Sequence, residues 1–272
     1  MLVAHLSDCH LTVGALGAEP AAGLLRAIGA AAAVQPRPDV LVISGDLVEH
    51  GTLEEYEVLA EVLSRSPLPV HLATGNHDRR APLLAVFAGS EHLPLPAGSS
   101  AGAGEVRHVV EHEDARVVLL DSLVEPGEDG SHVRGAGRLG PRQVAWLEEV
   151  LTERARTPTL LVLHHPPVRV GLPFLDGMGL LDAAALGEVV GRHPQVRGVL
   201  AGHVHRQVTG TLAGAVVSSA GSTFRQSALE LSSDRPPGYV AEPTTFLLHR
   251  LDATGYVVHT VAVSHAGAVL AV

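Results

Sequence analysis

Short apolar runs, each closed by a cluster of polar residues, set the rhythm of this chain. Residues 2–6, 40–43, 70–72, 115–120, 160–163 and 198–201 are too short for helices and rich in Val and Leu, so they read as buried strands. Helical stretches lie between them. Residues 21–34 are Ala/Leu-rich and stop before Pro36 and Pro38, while 54–63 carry apolar residues at helical spacing and end before Pro67. Residues 141–151 have Pro141 in their first turn, and 181–190 form a further helix. Alternation of this kind is the pattern of parallel strands joined by crossover helices. After residue 205 the pattern changes to the alternation of antiparallel strands over 209–220, 245–251 and 256–263, the last two separated by the turn signal Asp252-Ala253-Thr254-Gly255. The expectation is an α/β chain of two packed mixed sheets flanked by helices. A single domain spans 1–272, with about 209–272 completing the second sheet. Residues 89–104 and 125–140 read as loops bordering a site.

The polar clusters are Asp8-Cys9-His10, Gly45-Asp46, Gly75-Asn76-His77-Asp78, His164-His165-Pro166-Pro167 and Gly202-His203-Val204-His205. In an extended strand, residues i and i+2 share a face, so Asp8 and His10 can grip one ion together while Cys9 points away. The same holds for His203 and His205 if their segment stays extended. Each pair alone is weak evidence in a His-rich chain. Asp46 closes a run buried on both faces with no partner in sight, and one buried carboxylate between two cations can bridge them, whereas unpaired it is costly to keep charged. Asn76 offers a neutral carbonyl oxygen after Gly75, which suits a tight turn. Pro166 and Pro167 fix the backbone after the His pair. Five such clusters in order, each ending a strand, point to a two-metal phosphoesterase site.

Composition narrows the chemistry. The 272 residues are 46% hydrophobic, enough to bury a large core. Cys9 is the only cysteine, which excludes an intramolecular disulfide and a thiolate zinc site, so any metal is held by nitrogen and oxygen. Imidazole and carboxylate ligands without sulfur suit Mn, Fe or Zn and argue against Ca. Of 17 histidines, six fall in the clusters. His5 and His71 lie on apolar runs and read as satisfied strand residues; His50, His92, His112, His132 and His265 read as solvated. A net charge of −10 disfavours nucleic acid as a partner and leaves no polybasic membrane signal. No apolar stretch approaches about 18 residues and no signal-peptide pattern opens the sequence, so a soluble, cytoplasmic protein is expected.

The ordered clusters resemble the calcineurin-like metallophosphoesterases, whose pattern is D-x-H, G-D, G-N-H-D/E, H and G-H-x-H. This resemblance spans residues 8–205 and implies a four-layer α/β/β/α sandwich with two divalent metal ions per chain. It further implies that Asp8, His10, Asp46 and His205 bind one metal and Asp46, Asn76, His164 and His203 the other, with Asp46 as the bridge. His77 matches the histidine that contacts phosphate, and Asp78 the acidic residue that orients it. The implied reaction is in-line hydrolysis by a metal-activated hydroxide, with His77 protonating or stabilising the leaving group. Finer features are similar to bacterial class III cyclic nucleotide phosphodiesterases: residues 45–56, Gly75-Asn76-His77-Asp78-Arg79-Arg80, the His-His-Pro-Pro run, Gly202-His203-Val204-His205-Arg206 and Pro237-Gly238-Tyr239 followed by 247–251. A small-molecule phosphodiester such as cAMP is the implied substrate. A glycerophosphodiesterase or broad phosphodiesterase is the alternative, a silent scaffold of the same fold a remote one. The resemblance is also compatible with a homodimer. Glu49 stands three positions after Asp46, where purple acid phosphatases carry a tyrosine ligand, which sets that subfamily apart. Pocket lining is expected from residues 174–180, 125–140 and 222–226.

Overall fold

The computed structural model describes residues 1–95, 105–128, 132–232, 238–252 and 255–263. In chain order, β1 (Leu2–Leu6), α1 (Ala18–Ala32), β2 (Val40–Ser44), α2 (Leu53–Leu63), β3 (Val70–Ala73) and α3 (Arg80–Phe87) form three strand-helix units. They are followed by β4 (His108–Glu111), β5 (Arg116–Leu119), α4 (Gly140–Glu153), β6 (Thr159–Val162), α5 (Pro173–Asp176), α6 (Ala183–Arg192) and β7 (Val196–Ala201). Two-stranded pieces complete the chain: β8 (Val208–Leu212) with β9 (Ala215–Ser219), β10 (Gln226–Ser227) with β11 (Tyr239–Val240), and β12 (Thr245–Asp252) with β13 (Gly255–Ala262).

The strands form a five-stranded sheet in the order β13-β12-β1-β2-β3 and a six-stranded sheet in the order β4-β5-β6-β7-β9-β8. Strands β1, β2 and β3 are mutually parallel, as are β5, β6 and β7, while the outer strands β13, β12 and β4 and the β8–β9 hairpin bring antiparallel pairs. Both sheets are therefore mixed, as expected. Side-chain alternation then builds four layers. Val3, Val40 and Val42 of one sheet meet Val117, Leu119, Leu160 and Val162 of the other in a shared apolar layer. Their neighbours Ala4, Leu6, Leu41 and Ile43 face the opposite way, onto Leu24, Ile28, Tyr56, Leu59 and Leu83 of α1, α2 and α3. Val118, Leu161 and Val199 likewise face Leu147, Leu151, Leu186 and Val189 of α4 and α6.

Two expectations need correction. Residues 209–272 do not complete one sheet: β8 and β9 join the six-stranded sheet, but β12 pairs antiparallel with β1 and carries β13 to the edge of the five-stranded one. The alternation of β12 shows a strand with two kinds of face; the choice of partner is a long-range packing decision that local alternation does not encode. Residues 209–220 are also two strands, turned at Ala213 and Gly214 with φ of 48° and 96°. Of the expected loops, residues 96–104 and 129–131 lie outside the described residues, as do Pro237, the centre of the 252–255 turn and His265. No described helix is long and apolar enough to cross a membrane.

Candidate metal centre

Every polar cluster falls just beyond the carboxyl end of a strand: Asp8 and His10 after β1, Asp46 after β2, Asn76 and His77 after β3, His164 after β6, and His203 and His205 after β7. Because those strands are parallel within each sheet and the sheets pack face to face, their ends converge, and side chains far apart in sequence meet. The local geometry is not the extended one expected from i, i+2 spacing. Asp8 and His10 have φ of 53° and 47°, and His203 and His205 have 70° and 49°, so both segments are turns in the left-handed region. Nor do His203 and His205 face one position; they are divided between two groups of donors.

The first group joins Asp8, His10, Asp46 and His205, all buried. His205 Nδ1 donates to the Arg225 carbonyl at 3.0 Å, and His10 Nδ1 lies 2.8 Å from Glu49 Oε2. A carbonyl oxygen only accepts, so the neutral His205 ring carries its proton on Nδ1 and presents a bare lone pair at Nε2, while His10 Nδ1 meets Glu49 in a close contact without hydrogen-bond geometry. The Nε2 atoms of His10 and His205 stand 2.9 Å apart. Asp46 Oδ2 is 3.7 Å from His10 Nε2, and Asp8 Oδ1 is 3.4 Å from His205 Nε2. Two carboxylates and two imidazoles crowded around one point are an arrangement that a cation reconciles.

The second group repeats the logic. His164 Nδ1 donates to the Ser44 carbonyl at 2.8 Å, and its Nε2 faces Asn76 Oδ1 at 3.2 Å and Asp46 Oδ2 at 3.4 Å. His203 Nδ1 approaches the same Asn76 oxygen at 2.9 Å, while its buried Nε2 has no hydrogen-bond partner. Asp46 Oδ2 thus lies between the two groups. His165 packs beside His164 and His203, with ring centroids 4.9 and 4.7 Å away, but both its nitrogens are committed. Its Nδ1 accepts from the Ser122 hydroxyl at 2.8 Å and its Nε2 donates to the Gly135 carbonyl at 3.1 Å. It therefore supports the neighbouring rings. Gly75 is required by proximity: a Cβ there would collide with Asp46.

Electrostatics fit a cationic centre. Burial raises Asp8 above the ordinary carboxylate range. Burial also opposes ionisation of Asp46, but the adjacent His164 outweighs it and holds Asp46 well below that range; reciprocally, burial lowers His164 while Asp46 brings it to about 9. Burial pushes His203 down to about 3 and His205 to about 4. Beside the neutral rings of His203 and His205 the buried carboxylates call for positive charge, which the His164 imidazolium supplies in part and bound divalent ions would supply in full.

His77 stands at the open side of this centre, its side chain 36% exposed. Its backbone N–H donates to Asp46 Oδ1 at 2.8 Å, and its ring Nδ1 donates to the Glu49 carbonyl at 2.8 Å, leaving Nε2 for a substrate. The expectation for Asp78 is corrected here. Asp78 does not orient the His77 ring: it is fully buried and accepts from Gly75 N at 2.7 Å, Leu47 N at 3.2 Å and Tyr56 OH at 3.0 Å. It ties the Asp46 and Asn76 loops to α2, which acts through position and not by touching substrate.

Sequence reasoning missed Glu49 and Arg225 as working parts. Glu49 holds His10 and is itself held by Arg225 Nη2 at 3.3 Å; the same guanidinium lies 4.5 Å over the Tyr239 ring. The available signal was Glu49 three positions after Asp46, read only as a missing tyrosine. Its loop is fixed by the capping box of α2, where Thr52 Oγ1 accepts from Glu55 N and Glu55 Oε2 accepts from Thr52 N. Of the expected lining, Leu175, Asp176 and Leu180 border a cavity of about 120 Å³ beside His203, and Arg225 borders the His205 side.

The sequence model of the calcineurin-like phosphoesterases matches residues 1–207. The chain belongs to that family. This phosphoesterase is 32% identical over 270 residues to a cAMP/cGMP dual specificity phosphodiesterase of Mycobacterium tuberculosis, covering 94% of the chain and 77% of that protein. It is 28% identical over 272 residues to a glycerophosphodiester phosphodiesterase of Enterobacter lignolyticus, covering 97% of the chain and 92% of the relative. A dimetal phosphatase of Danio rerio shares the fold with a TM-score of 0.67 at 17% identity, over 97% of this chain and 99% of that one. The phosphoesterase is a metal-dependent enzyme by family, with His and Asp clusters able to hold a dinuclear centre.

Proposed function

We propose that this phosphoesterase hydrolyses phosphodiester bonds, with 3′,5′-cyclic nucleotides such as cAMP as substrates. Asp8, His10, Asp46 and His205 would hold one divalent cation, and Asp46, Asn76, His164 and His203 would hold the other. The observation that carries this reading is Asp46 Oδ2 lying 3.7 Å from His10 Nε2 and 3.4 Å from His164 Nε2, one carboxylate oxygen between two groups of ligand-type side chains. When bound, such a pair of ions lowers the pKa of water and neutralises phosphoryl charge. His77 does what the ions do not. With Nδ1 anchored on Glu49, Nε2 of the imidazolium donates a proton to the leaving oxygen. Asp78 and Gly75 keep the Asp46 and His77 loops at the distance this requires. The cyclic nucleotide reading is supported by the Mycobacterium relative, and the net charge of −10 favours a small diester over a polyanion.

A second reading, glycerophosphodiester hydrolysis, is supported by the Enterobacter relative. Turnover of cAMP, 2′,3′-cyclic AMP, a glycerophosphodiester and bis(p-nitrophenyl) phosphate on one preparation separates the two. The expected result is the highest kcat/KM on cAMP, loss of all turnover on chelation and recovery with Mn²⁺. Preference for the glycerophosphodiester overturns the substrate, and full turnover in the chelated protein overturns the metal reading itself.

A further inference from the structure

A file of polar side chains crosses the otherwise apolar layer between the two sheets. Tyr256 OH of β13 is 2.7 Å from His249 Nδ1 of β12, and His249 Nε2 is 3.2 Å from His5 Nδ1 of β1. His5 Nε2 is 2.8 Å from Ser44 Oγ of β2, Ser44 Oγ donates to Ser7 Oγ at 2.8 Å, and Ser7 Oγ and Asp8 Oδ2 flank the same spot, where a Cβ on Gly202 would meet both. His5, His249, Ser44 and Ser7 are buried among Val3, Val42 and Leu251. Both ends are closely seated. A Cβ on Gly198 would strike the Tyr256 hydroxyl, and one on Gly202 would strike Ser7 Oγ.

Counting protons fixes the direction of every bond. The Asp8 carboxylate accepts at both oxygens, which also receive the His203 backbone N–H at 3.1 Å. Ser7 Oγ accepts from the Ser44 hydroxyl, which leaves the Ser7 proton for the adjacent Asp8 carboxylate. Ser44 has then spent its own proton and must accept from His5 Nε2. Burial lowers His5 to about 3 and His249 well below the ordinary imidazole range, so each ring carries a single proton. With that proton on Nε2, His5 Nδ1 must accept from His249 Nε2, and His249 Nδ1 must accept from Tyr256. The four bonds from Tyr256 to Ser7 all point the same way. Aligned hydrogen bonds in a low-dielectric interior polarise one another, and the donor end of this file is aimed at a carboxylate.

The structure assigns Tyr256, His249, His5, Ser44 and Ser7 to a one-way hydrogen-bond relay that positions Asp8 for its cation from the far edge of the sheet. This role rests on the reading of Asp8 as a metal ligand. None of the first four touches a metal-facing atom with its side chain, so they are positioning residues. The test is Zn²⁺ affinity by chelator competition, with ¹⁵N spectra of the histidine rings in the Zn²⁺-loaded protein. Ser44→Ala breaks the file at its middle and should weaken Zn²⁺ binding by about 10–100-fold, the usual effect of removing a hydrogen bond behind a ligand. Ser44→Thr keeps the hydroxyl and should restore most of the affinity. Tyr256→Phe keeps the ring, which stacks at 9° on His249, and should weaken binding in the same direction by less. Both His5 and His249 should be Nε2–H tautomers. Wild-type affinity in Ser44→Ala, or an Nδ1–H tautomer at His5, overturns the relay. Asp8→Asn is the control for the underlying reading: it should lose one Zn²⁺, and retention of both at unchanged affinity overturns the assignment of Asp8 as a ligand, whatever the tautomers.

Discussion

Among the described residues, six that are not glycine have positive φ, and five of these are Asp8, His10, Asp46, His203 and His205; the sixth is Ala213 in a hairpin turn. A left-handed conformation costs an L-residue roughly 1–2 kcal/mol, so the site concentrates strain that the surrounding hydrogen bonds must hold in place. The cost belongs to the side chains that do the work. In chelator, where His10 has no ion to bind, His10→Gly should be more stable than His10→Ala by about 1 kcal/mol in urea unfolding, despite the greater entropy of glycine in the unfolded chain. An alanine variant of equal or higher stability would remove backbone strain from the account. His77 carries a different prediction, because it is exposed and tied by Nδ1 to Glu49. His77→Ala should keep both metal ions, while cAMP turnover falls by about 10²–10⁴-fold, as for loss of a general acid. Bis(p-nitrophenyl) phosphate, with its weakly basic leaving group, should suffer much less. Equal losses on both would point to simple electrostatic clamping. The identities of these residues were legible in the sequence because each closes an apolar run. Their backbone was not, since Asp and His, although enriched in the left-handed region, sit there far less often than in extended or helical backbone, and i, i+2 spacing reads equally well as a strand end.

At the scale of elements, β3 and β4 lie at matching edges of the two sheets, and their histidines His71 and His108 meet with ring centroids 5.7 Å apart. Among the described residues, His108 has no hydrogen-bond partner at either nitrogen and His71 has none at Nδ1. Burial lowers His108 to about 3 and His71 to about 4, with His71 also disfavouring charge on His108, and His92 and His112 on His71. The unfolded rings take their protons near 6.5, so between that value and about 4 the unfolded chain binds more protons than the folded one. Stability is whole above pH 6.5 and falls with pH below it, by up to about 1.4 kcal/mol per unit for each ring. His108→Leu should therefore lose less stability than wild type between pH 7.5 and 5.0, by about 2 kcal/mol in urea unfolding. Parallel pH curves for the two proteins would show that His108 is not carried neutral into the fold. Most strands and the helices α1, α2, α4 and α6 were readable because periodicity and flanking prolines agreed. Helix α3 was not: Pro82 in its first turn reads as a break until the fold places it at a helix start. The β8–β9 turn was also hidden, because Ala213-Gly214 lacks the Asn or Asp that usually marks one.

For the whole molecule, the centre is a clasp between the sheets. Asp8, His10, Asp46 and Asn76 come from the five-stranded sheet, and His164, His203 and His205 from the six-stranded one. Ions held there bind the folded state alone, and at a thousandfold excess over Kd each contributes about 4 kcal/mol. Mn²⁺ should accordingly raise Tm by about 10 °C over the chelated protein in thermal unfolding. An unchanged Tm at full occupancy would mean that the ions bind the unfolded chain as tightly as the folded one. That the two sheets meet at the site was foreseeable from five strand-ending clusters; that β12 returns to β1 was not, since such a pairing is decided by the assembled core. The β1–β12 pairing also bears on how the protein is made. His5 and His249 are 244 residues apart, so at about 5–20 residues per second a ribosome takes roughly 10–50 s between delivering the two. Throughout that interval β1 offers an open edge to any other nascent strand, and the file of hydrogen bonds behind Asp8 has no far half. Translation speed and chaperone cover over the first strand, more than the strength of any finished contact, then set how much of the newly made chain reaches the active form.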